Sequence, residues 1–236
     1  MPVNTDLGAA IENLYRAFAR YPVIKDVSYC RDHCVTADEV AALHRTPLRE
    51  INYEQMYALV ANIGTWGDDI YFYHFAARYL EIASRPSGRW MPMSARMQSI
   101  WADGPADVQP AMEEFMHAWW RHSLSSPISD SRWAARDLLV VIGDNARAAD
   151  SYLAEWPTGT YADVHLADMV LDPPLGHTPG DRFGHDLDAW LFGPVPLARL
   201  NAAIATASRN RLGAEDIALL TSARNQHLNE LKVRKR

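Results

Sequence analysis

The sequence has few cysteines and a deficit of positive charge. Its 236 residues include only two Cys, which excludes a small fold held together by disulfides. Lys and Arg number 23 against 29 Asp and Glu, so the formal net charge is -6. Nucleic-acid-binding proteins need an excess of cations, because these displace the counterions of the phosphates. We therefore expect a partner other than nucleic acid.

Long apolar runs are also missing. The longest strongly apolar stretch of the second half is Leu138–Ile142, and Asp6, Glu12, Arg16 and Arg20 interrupt the N-terminal region. A membrane span needs about 20 apolar residues, and a signal peptide needs an uninterrupted apolar core. The sequence therefore predicts no membrane association and a cytoplasmic location.

Motifs of the common catalytic and nucleotide-binding sites are absent from the sequence. It contains no Walker A loop, no GxGxxG fingerprint, no GxSxG elbow and no HExxH pair. Each of these motifs places a phosphate cradle, a nucleophile or a metal through a fixed spacing. Their absence favours a protein that binds rather than one that catalyses.

Apolar residues recur at helical spacing through nearly the whole chain, of which 48% is hydrophobic. The polar–apolar alternation that is typical of strands is missing. Pro and Gly interrupt the pattern often, and short helices with short connections pack as antiparallel neighbours. We predict an all-α protein, a stack of short antiparallel helices that forms a HEAT-like α-solenoid or an irregular bundle. The prediction is one domain over residues 1–236, with a candidate hinge near 172–180.

Three apolar stripes predict helices with defined buried faces. The first lies near the N-terminus and comprises Leu7, Ile11, Leu14 and Phe18. The second follows Asp68, whose carboxylate is expected to cap the helix, and comprises Phe72, Phe75, Tyr79 and Ile82. The third belongs to the last helix and comprises Ile217, Leu220, Leu228 and Leu231.

The first candidate site surrounds the two cysteines. Structural zinc sites take four ligands from Cys and His. Cys30, His33 and Cys34 provide three such groups, and His44 is the candidate fourth. Three residues separate the cysteines and no second pair follows, so ordinary structural cysteines or a redox pair are alternatives. We expect no cofactor, with zinc at these four residues as the alternative.

The second candidate site begins with two glycines around a tryptophan, Gly64-Thr65-Trp66-Gly67, which indicate a tight turn. The carboxylates that follow lie at a predicted helix N-terminus, where they oppose the positive end of the helix dipole. One interpretation is structural, a capped helix covered by a Trp. The other is a recognition surface of six side chains: Trp66, Asp68, Asp69, Tyr73, His74 and Arg78.

A third group of polar residues is scattered through the second half. The histidines are His165, His177 and His185, and the carboxylates are Asp168, Asp181, Asp186 and Asp188. Their spacings match no metal or catalytic motif. We expect them to be solvent-exposed loop residues.

Several short motifs follow one another in a fixed order. An N-terminal helix precedes Cys30 and Cys34, the element Pro47–Ile51 reads PLREI, and residues 65–82 read TWGDDIYFYHFAARYLEI. In this order they resemble an uncharacterised family of bacterial helical proteins with a Cys pair, a PLRxL element and a TWG…HF…R.LE segment. The resemblance implies a HEAT-like helical fold and no particular activity. The family's cysteines lie closer together, and Ala77 stands where the family has proline.

These observations favour a non-enzymatic protein-binding module. Helical stacks offer extended surfaces on which Trp, Tyr and Arg anchor partners. A specific version is an immunity or antitoxin-like protein that neutralises a basic toxin or effector, because opposite charge speeds capture. One alternative is a zinc-stabilised or metal-dependent protein that uses the Cys30–Cys34 region. The other is a structural scaffold whose side chains serve packing alone.

Overall fold

The computed structural model of the chain describes residues 5–30, 34–62, 64–85, 93–128, 134–145, 148–174, 182–210 and 212–234. Within these ranges it has thirteen α-helices and no β-strand, although Tyr29 and Trp66 form an isolated β-bridge. The predicted all-α class is confirmed, and the HEAT-like arrangement stays a prediction. None of the described helices combines the length and the apolar content needed to cross a membrane.

The chain divides into two compact units. Unit 1 comprises Met1–Trp119 and unit 2 comprises Trp120–Arg236. The division falls inside a helix, Gln109–Leu124, and away from the predicted hinge. Most of that hinge, residues 175–180, lies outside the described residues. The prediction of a single domain therefore stays a prediction.

Unit 1 is built from six helices and the first part of a seventh. A 3₁₀ turn at Leu48–Glu50 and a π-helical segment at Gln98–Ala102 lie between them. The helices are α1 (Thr5–Phe18), α2 (Ala37–Arg45), α3 (Tyr53–Ala61), α4 (Asp69–Tyr73), α5 (Ala76–Ser84), α6 (Ser94–Met97) and α7 (Gln109–Leu124).

The core of unit 1 forms where α1 packs against α5. The predicted first stripe is confirmed, because Leu7, Ile11, Leu14 and Phe18 are only 0–7% exposed. Burying a large apolar side chain stabilises a fold by roughly 1.5–3 kcal/mol. Every residue of α5 is buried, so this short helix is the centre of unit 1.

The single helix predicted after Asp68 is two helices, α4 and α5. The predicted cap is confirmed, because the Asp68 carboxylate accepts a hydrogen bond of 2.8 Å from the backbone N–H of Tyr71. The backbone N–H of Phe75 then donates to the carbonyl of Phe72 at 2.9 Å. This bond spans three residues rather than four and tightens the backbone into a turn, which ends α4. Because the apolar pattern continues across the turn, the sequence did not indicate that the helix is interrupted there.

Unit 2 contains the rest of α7 and six further helices. The last helix, α13, packs against α10 and α12. The helices are α8 (Ala135–Asp144), α9 (Asp150–Ala154), α10 (Thr160–Leu171), α11 (Arg182–Leu191), α12 (Pro194–Thr206) and α13 (Ala214–Arg234).

The buried face of α13 differs from the predicted stripe. Leu220, Ala223 and His227 are buried, whereas Leu228 is 38% exposed. The spacings of three and four residues keep the buried three on one face of the helix. The predicted stripe was therefore right at Leu220 and wrong at Leu228, because it passed over Ala223 and His227, the other residues of the buried face.

Candidate functional site

The two segments singled out in the first half of the sequence meet in unit 1. Tyr29 and Trp66 form an antiparallel bridge. The Cys30 N–H donates to the carbonyl of Thr65 at 2.7 Å, and the Gly67 N–H donates to the carbonyl of Ser28 at 2.9 Å. The segment that contains Cys30 and the Gly64–Gly67 turn therefore lie side by side and are hydrogen-bonded to each other. No spacing in the sequence indicated this pairing.

Glycine is required in the tryptophan turn. Gly64 and Gly67 have φ angles of 80° and 68°, in the left-handed region that other residues rarely adopt. A Cβ atom on Gly67 would also overlap the ring of Tyr71. The predicted tight turn is confirmed, and its second glycine lets the Tyr71 ring approach the backbone.

A cleft of about 590 Å³ opens between these two segments. Its charged lining residues are Asp26 and Asp68, and no Lys or Arg lines it among the residues that the structure describes. Ile24, also in the lining, is 37% exposed, and Ile70 in the adjoining first turn of α4 is 60% exposed. The cleft thus combines carboxylates with exposed apolar side chains. We call it the acidic cleft.

Tyr71 gives the acidic cleft a polar wall. Its hydroxyl lies 2.9 Å from Nε2 of His44. Burial raises the pKa of Tyr71 to about 12, with a smaller opposing effect from the indole N–H of Trp66. Burial and then the charge of His74 lower the pKa of His44. At neutral pH the wall is therefore an uncharged phenol beside an uncharged imidazole.

The six predicted recognition residues fall into two groups. Asp68 and Asp69 are exposed and His74 is partly exposed. Trp66, Tyr73 and Arg78 are 2%, 9% and 8% exposed and lie inside unit 1. The structural interpretation, a capped helix with a buried Trp, accounts for the second group, and a recognition role stays a prediction.

The interior contacts of the second group are specific. The hydroxyl of Tyr73 donates to the carbonyl of Ser99 at 3.3 Å. Nε of Arg78 donates to the carbonyl of Ile51 at 2.8 Å, and Nη1 donates to Oε2 of Glu81 at 2.7 Å. Arg78 therefore links α5 to the segment before α3.

Asp69 lies above a buried cation that the sequence pattern did not reveal. The side chain of Arg96 is only 4% exposed, and its Nη1 lies 3.9 Å from Oδ1 of Asp69. Its Cζ lies 4.7 Å from the centre of the Phe72 ring. Nε and Nη2 have no hydrogen-bond partner. Burial lowers the pKa of Arg96 despite the charge of Asp69.

The four candidate zinc ligands do not form a described metal site. Cys30 is partly exposed in the acidic cleft, Cys34 is exposed, and His44 contacts Tyr71. His33 lies outside the described residues. Among the described residues, no group of three or more His, Cys, Asp or Glu side chains is placed to hold a metal. The zinc hypothesis stays a prediction.

The scattered histidines of the second half have different environments. His185, Asp186 and Asp188 belong to α11 and Asp168 belongs to α10, so the expectation of loop residues was wrong for these four, although His185 is exposed as expected. His177 and Asp181 lie outside the described residues. His165 is in α10 and only 1% exposed, so the expectation of an exposed loop residue was wrong for it. Its chain neighbours Val164, Leu166 and Ala167 are also buried, so this part of α10 lies in the core of unit 2.

A second groove of unit 1 contrasts with the acidic cleft. It also measures about 590 Å³, but Arg16 and Arg49 lie in its lining. The guanidinium of Arg49 stacks 3.8 Å above the ring of Tyr15 and makes two 2.7 Å hydrogen bonds to Glu12. Glu12 also lines this groove, but the two arginines outnumber it, so the acidic cleft suits a cationic group better.

Ile24, Asp26 and Tyr71 are lining residues that sequence reasoning missed. Ile24 and Asp26 belong to no motif, and the predicted apolar stripe began at Phe72 and so passed over Tyr71. The Gly64–Gly67 turn was the available signal, since a residue four positions after Gly67 packs beside it.

Comparisons with known proteins identify no relative of this chain. The chain matches no family model and no curated protein, and no solved structure matches its fold. The family resemblance that its motifs suggest therefore stays a prediction.

Proposed function

We propose that the chain is a non-enzymatic protein-binding module that receives a basic segment of another protein in the acidic cleft. The observation that carries this proposal is the composition of the cleft. Asp26 and Asp68 are its charged lining residues among those described, and they lie beside the exposed side chain of Ile24. An arginine or lysine side chain has a matching form, because it carries a charge at the end of an apolar stem.

The charge of the whole chain supports the same partner. A formal net charge of -6 attracts a cationic protein from a distance and speeds the encounter. A basic toxin or effector that this chain neutralises is the specific form of the proposal. In that form the chain acts by occupying the surface of its partner.

A peptide titration tests the cleft directly. We expect a hexa-arginine peptide to bind the full chain in calorimetry, and a hexa-glutamate peptide not to bind. Binding should weaken as salt is raised from about 50 to 300 mM, because salt screens exposed charges. Equal binding of both peptides would refute the proposed charge selectivity.

Two charge variants locate the binding surface. The double substitution Asp26→Asn with Asp68→Asn removes both carboxylates, while asparagine at position 68 retains the helix cap. Each exposed ion pair contributes roughly 0.2–1 kcal/mol, so we expect the loss of two pairs to weaken binding about two- to thirtyfold. The control pair Asp150→Asn with Glu215→Gln changes the net charge equally at exposed positions of unit 2. If the control pair weakens binding as much, the cleft has no special role.

The natural partner requires a separate experiment. Affinity purification of the tagged chain from its native lysate should recover a basic protein in stoichiometric amount. The recovered protein should be lost when Asp26 and Asp68 are replaced by asparagine. Stoichiometric recovery of an acidic partner, or of none, would count against the neutralisation of a basic effector.

A further inference from the structure

Unit 2 contains histidine side chains that are fully enclosed by protein. His165 of α10 is 1% exposed and His227 of α13 is 0% exposed. Histidine is the side chain whose ordinary pKa, about 6.5, lies closest to physiological pH. Enclosing it in the core makes the packing depend on which form of the ring is present, because burial disfavours charge.

The hydrogen bonds of His165 define its tautomer. Nε2 lies 3.0 Å from the carbonyl oxygen of Ser126, which can only accept, so Nε2 carries the proton. Nδ1 accepts a hydrogen bond of 3.4 Å from the backbone N–H of Ala135. Both contacts are satisfied only when the ring is neutral.

Protonation of His165 would therefore remove a helix contact. Ala135 is the first residue of α8, where backbone N–H groups lack partners within the helix. A proton on Nδ1 would place two donors opposite each other at the positive end of the α8 dipole. The neutral ring supports the first turn of α8, and the charged ring opposes it.

Burial lowers the pKa of His165, and nearby charges raise it by a smaller amount. Asp168 and Asp137 favour the protonated ring, as do the carbonyls of Ser126 and Ser123, yet burial lowers the pKa of His165 overall. Part of the influence of both carboxylates is offset by Arg136, whose Nε lies 3.6 Å from Asp168 and 3.8 Å from Asp137.

The protonated form of His227 has even fewer stabilising contacts than the protonated form of His165. Neither ring nitrogen has a hydrogen-bond partner, and the ring packs 5.6 Å from that of Phe192, between centroids. The carbonyls of Leu191 and Gly193 favour the charged ring without making hydrogen bonds of good geometry. Burial outweighs them and, together with the like charge of Arg234, lowers the pKa of His227.

We propose that His165 and His227 form an acid-sensitive latch. When both rings are neutral, the helices of unit 2 stay packed, which we call the closed state. When the rings are protonated, this packing opens. Opening releases the first turn of α8 and the face of α13 that packs against α10 and α12. The contacts involved are all internal to unit 2, so the latch acts independently of the acidic cleft.

The pH window follows from the direction of the two shifts. Both histidines have a lower pKa in the closed state than the value of 6.5 that they take when released. The open state therefore binds protons more readily. Closure is favoured fully above about pH 6.5 and weakens as the pH falls below it.

Hydrogen exchange of the full chain at pH 7.5 and 5.5 tests the latch. We expect protection of the α8 first turn and of α13, corrected for intrinsic exchange, to fall, by at most about tenfold for each ring, because pH 5.5 lies one unit below the pKa of a released histidine. Protection of α5 in unit 1 should change much less. A uniform change in both units, or none in unit 2, would overturn the proposal.

Matched variants assign the effect to the two rings. His165→Asn keeps an acceptor for the Ala135 N–H, and His227→Phe fills the same space, so neither variant titrates. The double variant should lose most of the pH dependence of the α8 first turn and of α13. His185→Gln is the control, because the side chain of His185 is 81% exposed. A double variant that opens with acid as the wild type does would overturn the latch.

Nuclear magnetic resonance of the wild type provides a test that needs no variant. The nitrogen shifts of His165 should show the Nε2-protonated tautomer at pH 7.5. Both buried rings should titrate below pH 6.5, the ordinary value for histidine. Ordinary titration of His165 and His227 near pH 6.5 would contradict the proposal even if the variants failed to fold.

Discussion

The buried acidic and basic side chains of α5 in unit 1, Glu81 and Arg78, are charged and paired, whereas the buried His165 of α10 and His227 of α13 in unit 2 are neutral imidazoles. Glu81 accepts hydrogen bonds from the hydroxyl of Tyr15 at 2.6 Å and from Arg78 at 2.7 Å, and it also pairs with Arg85. His227 in unit 2 has no such partner. The buried charges of α5 are tolerated because they are paired, whereas the packing of His165 and His227 depends on the absence of charge.

This difference gives the paired charges of α5 and the buried histidines of α10 and α13 different pH ranges of acid sensitivity. Burial alone would raise the pKa of Glu81, but hydrogen bonds from Tyr15 and Arg78 and the charges of Arg78 and Arg85 lower it overall. The stability that this pair contributes is therefore present above about pH 4.5 and lost only as the pH falls through the lowered pKa. Protonation of His165 and His227 weakens the packing of unit 2 already below about pH 6.5.

The largest expected effect comes from breaking the charged network of unit 1. Glu81→Gln leaves Arg78 buried without an opposite charge, so we expect the free energy of unfolding to fall by about 3 kcal/mol at pH 7. Urea denaturation measures this loss. The control is Glu155→Gln in unit 2, whose ion pair with Arg121 is more than one-third exposed and contributes about 0–1 kcal/mol. Equal losses would remove the distinction between the two environments.

The turn that forms the acidic cleft is the next most sensitive feature. Gly67→Ala introduces a Cβ atom at a φ of 68° and against the Tyr71 ring. We expect a loss of about 2 kcal/mol, because left-handed backbone costs roughly 1–2 kcal/mol before any overlap. Gly8→Ala within α1 meets nothing within 4 Å and should stabilise by about 0.5–1 kcal/mol. Effects of the same sign would show that the turn geometry is unimportant.

A smaller effect is expected from the cap of α4. Asp68→Ala removes the acceptor for the Tyr71 N–H and should cost about 1 kcal/mol, while Asp68→Asn should cost almost nothing. Hydrogen exchange of α4 measures the change locally, and unit 2 should be unaffected. If asparagine fails to replace aspartate, the charge of Asp68 matters more to the helix than its hydrogen bond.

The smallest effect is expected at the cysteines. No described group of three metal-binding side chains includes Cys30, so Cys30→Ser should leave Tm within about 2 °C, the shift expected for less than 1 kcal/mol. Metal analysis of the purified chain should find far less than one zinc per chain. Stoichiometric zinc, or a large loss of Tm in Cys30→Ser, would instead support the zinc hypothesis.

Local sequence was informative wherever neighbouring residues decide the outcome. The stripe of Leu7, Ile11, Leu14 and Phe18, the cap at Asp68 and the turn at Gly64–Gly67 were all predictable, since helical periodicity, capping and positive φ involve residues close in the chain. The split between α4 and α5 was not, because a continuous apolar stripe fits both one helix and two.

The amino-acid sequence by itself determined the helical class, the positions of several helices and the acidic character of the chain. Tertiary structure alone decided which polar residues would be enclosed and which segments would meet. Asp26 and Asp68 line one cleft only because a backbone bridge joins segments far apart in the chain. His165 and His227 are core residues because neighbouring helices pack against them. The sequence of a single helix does not indicate such packing.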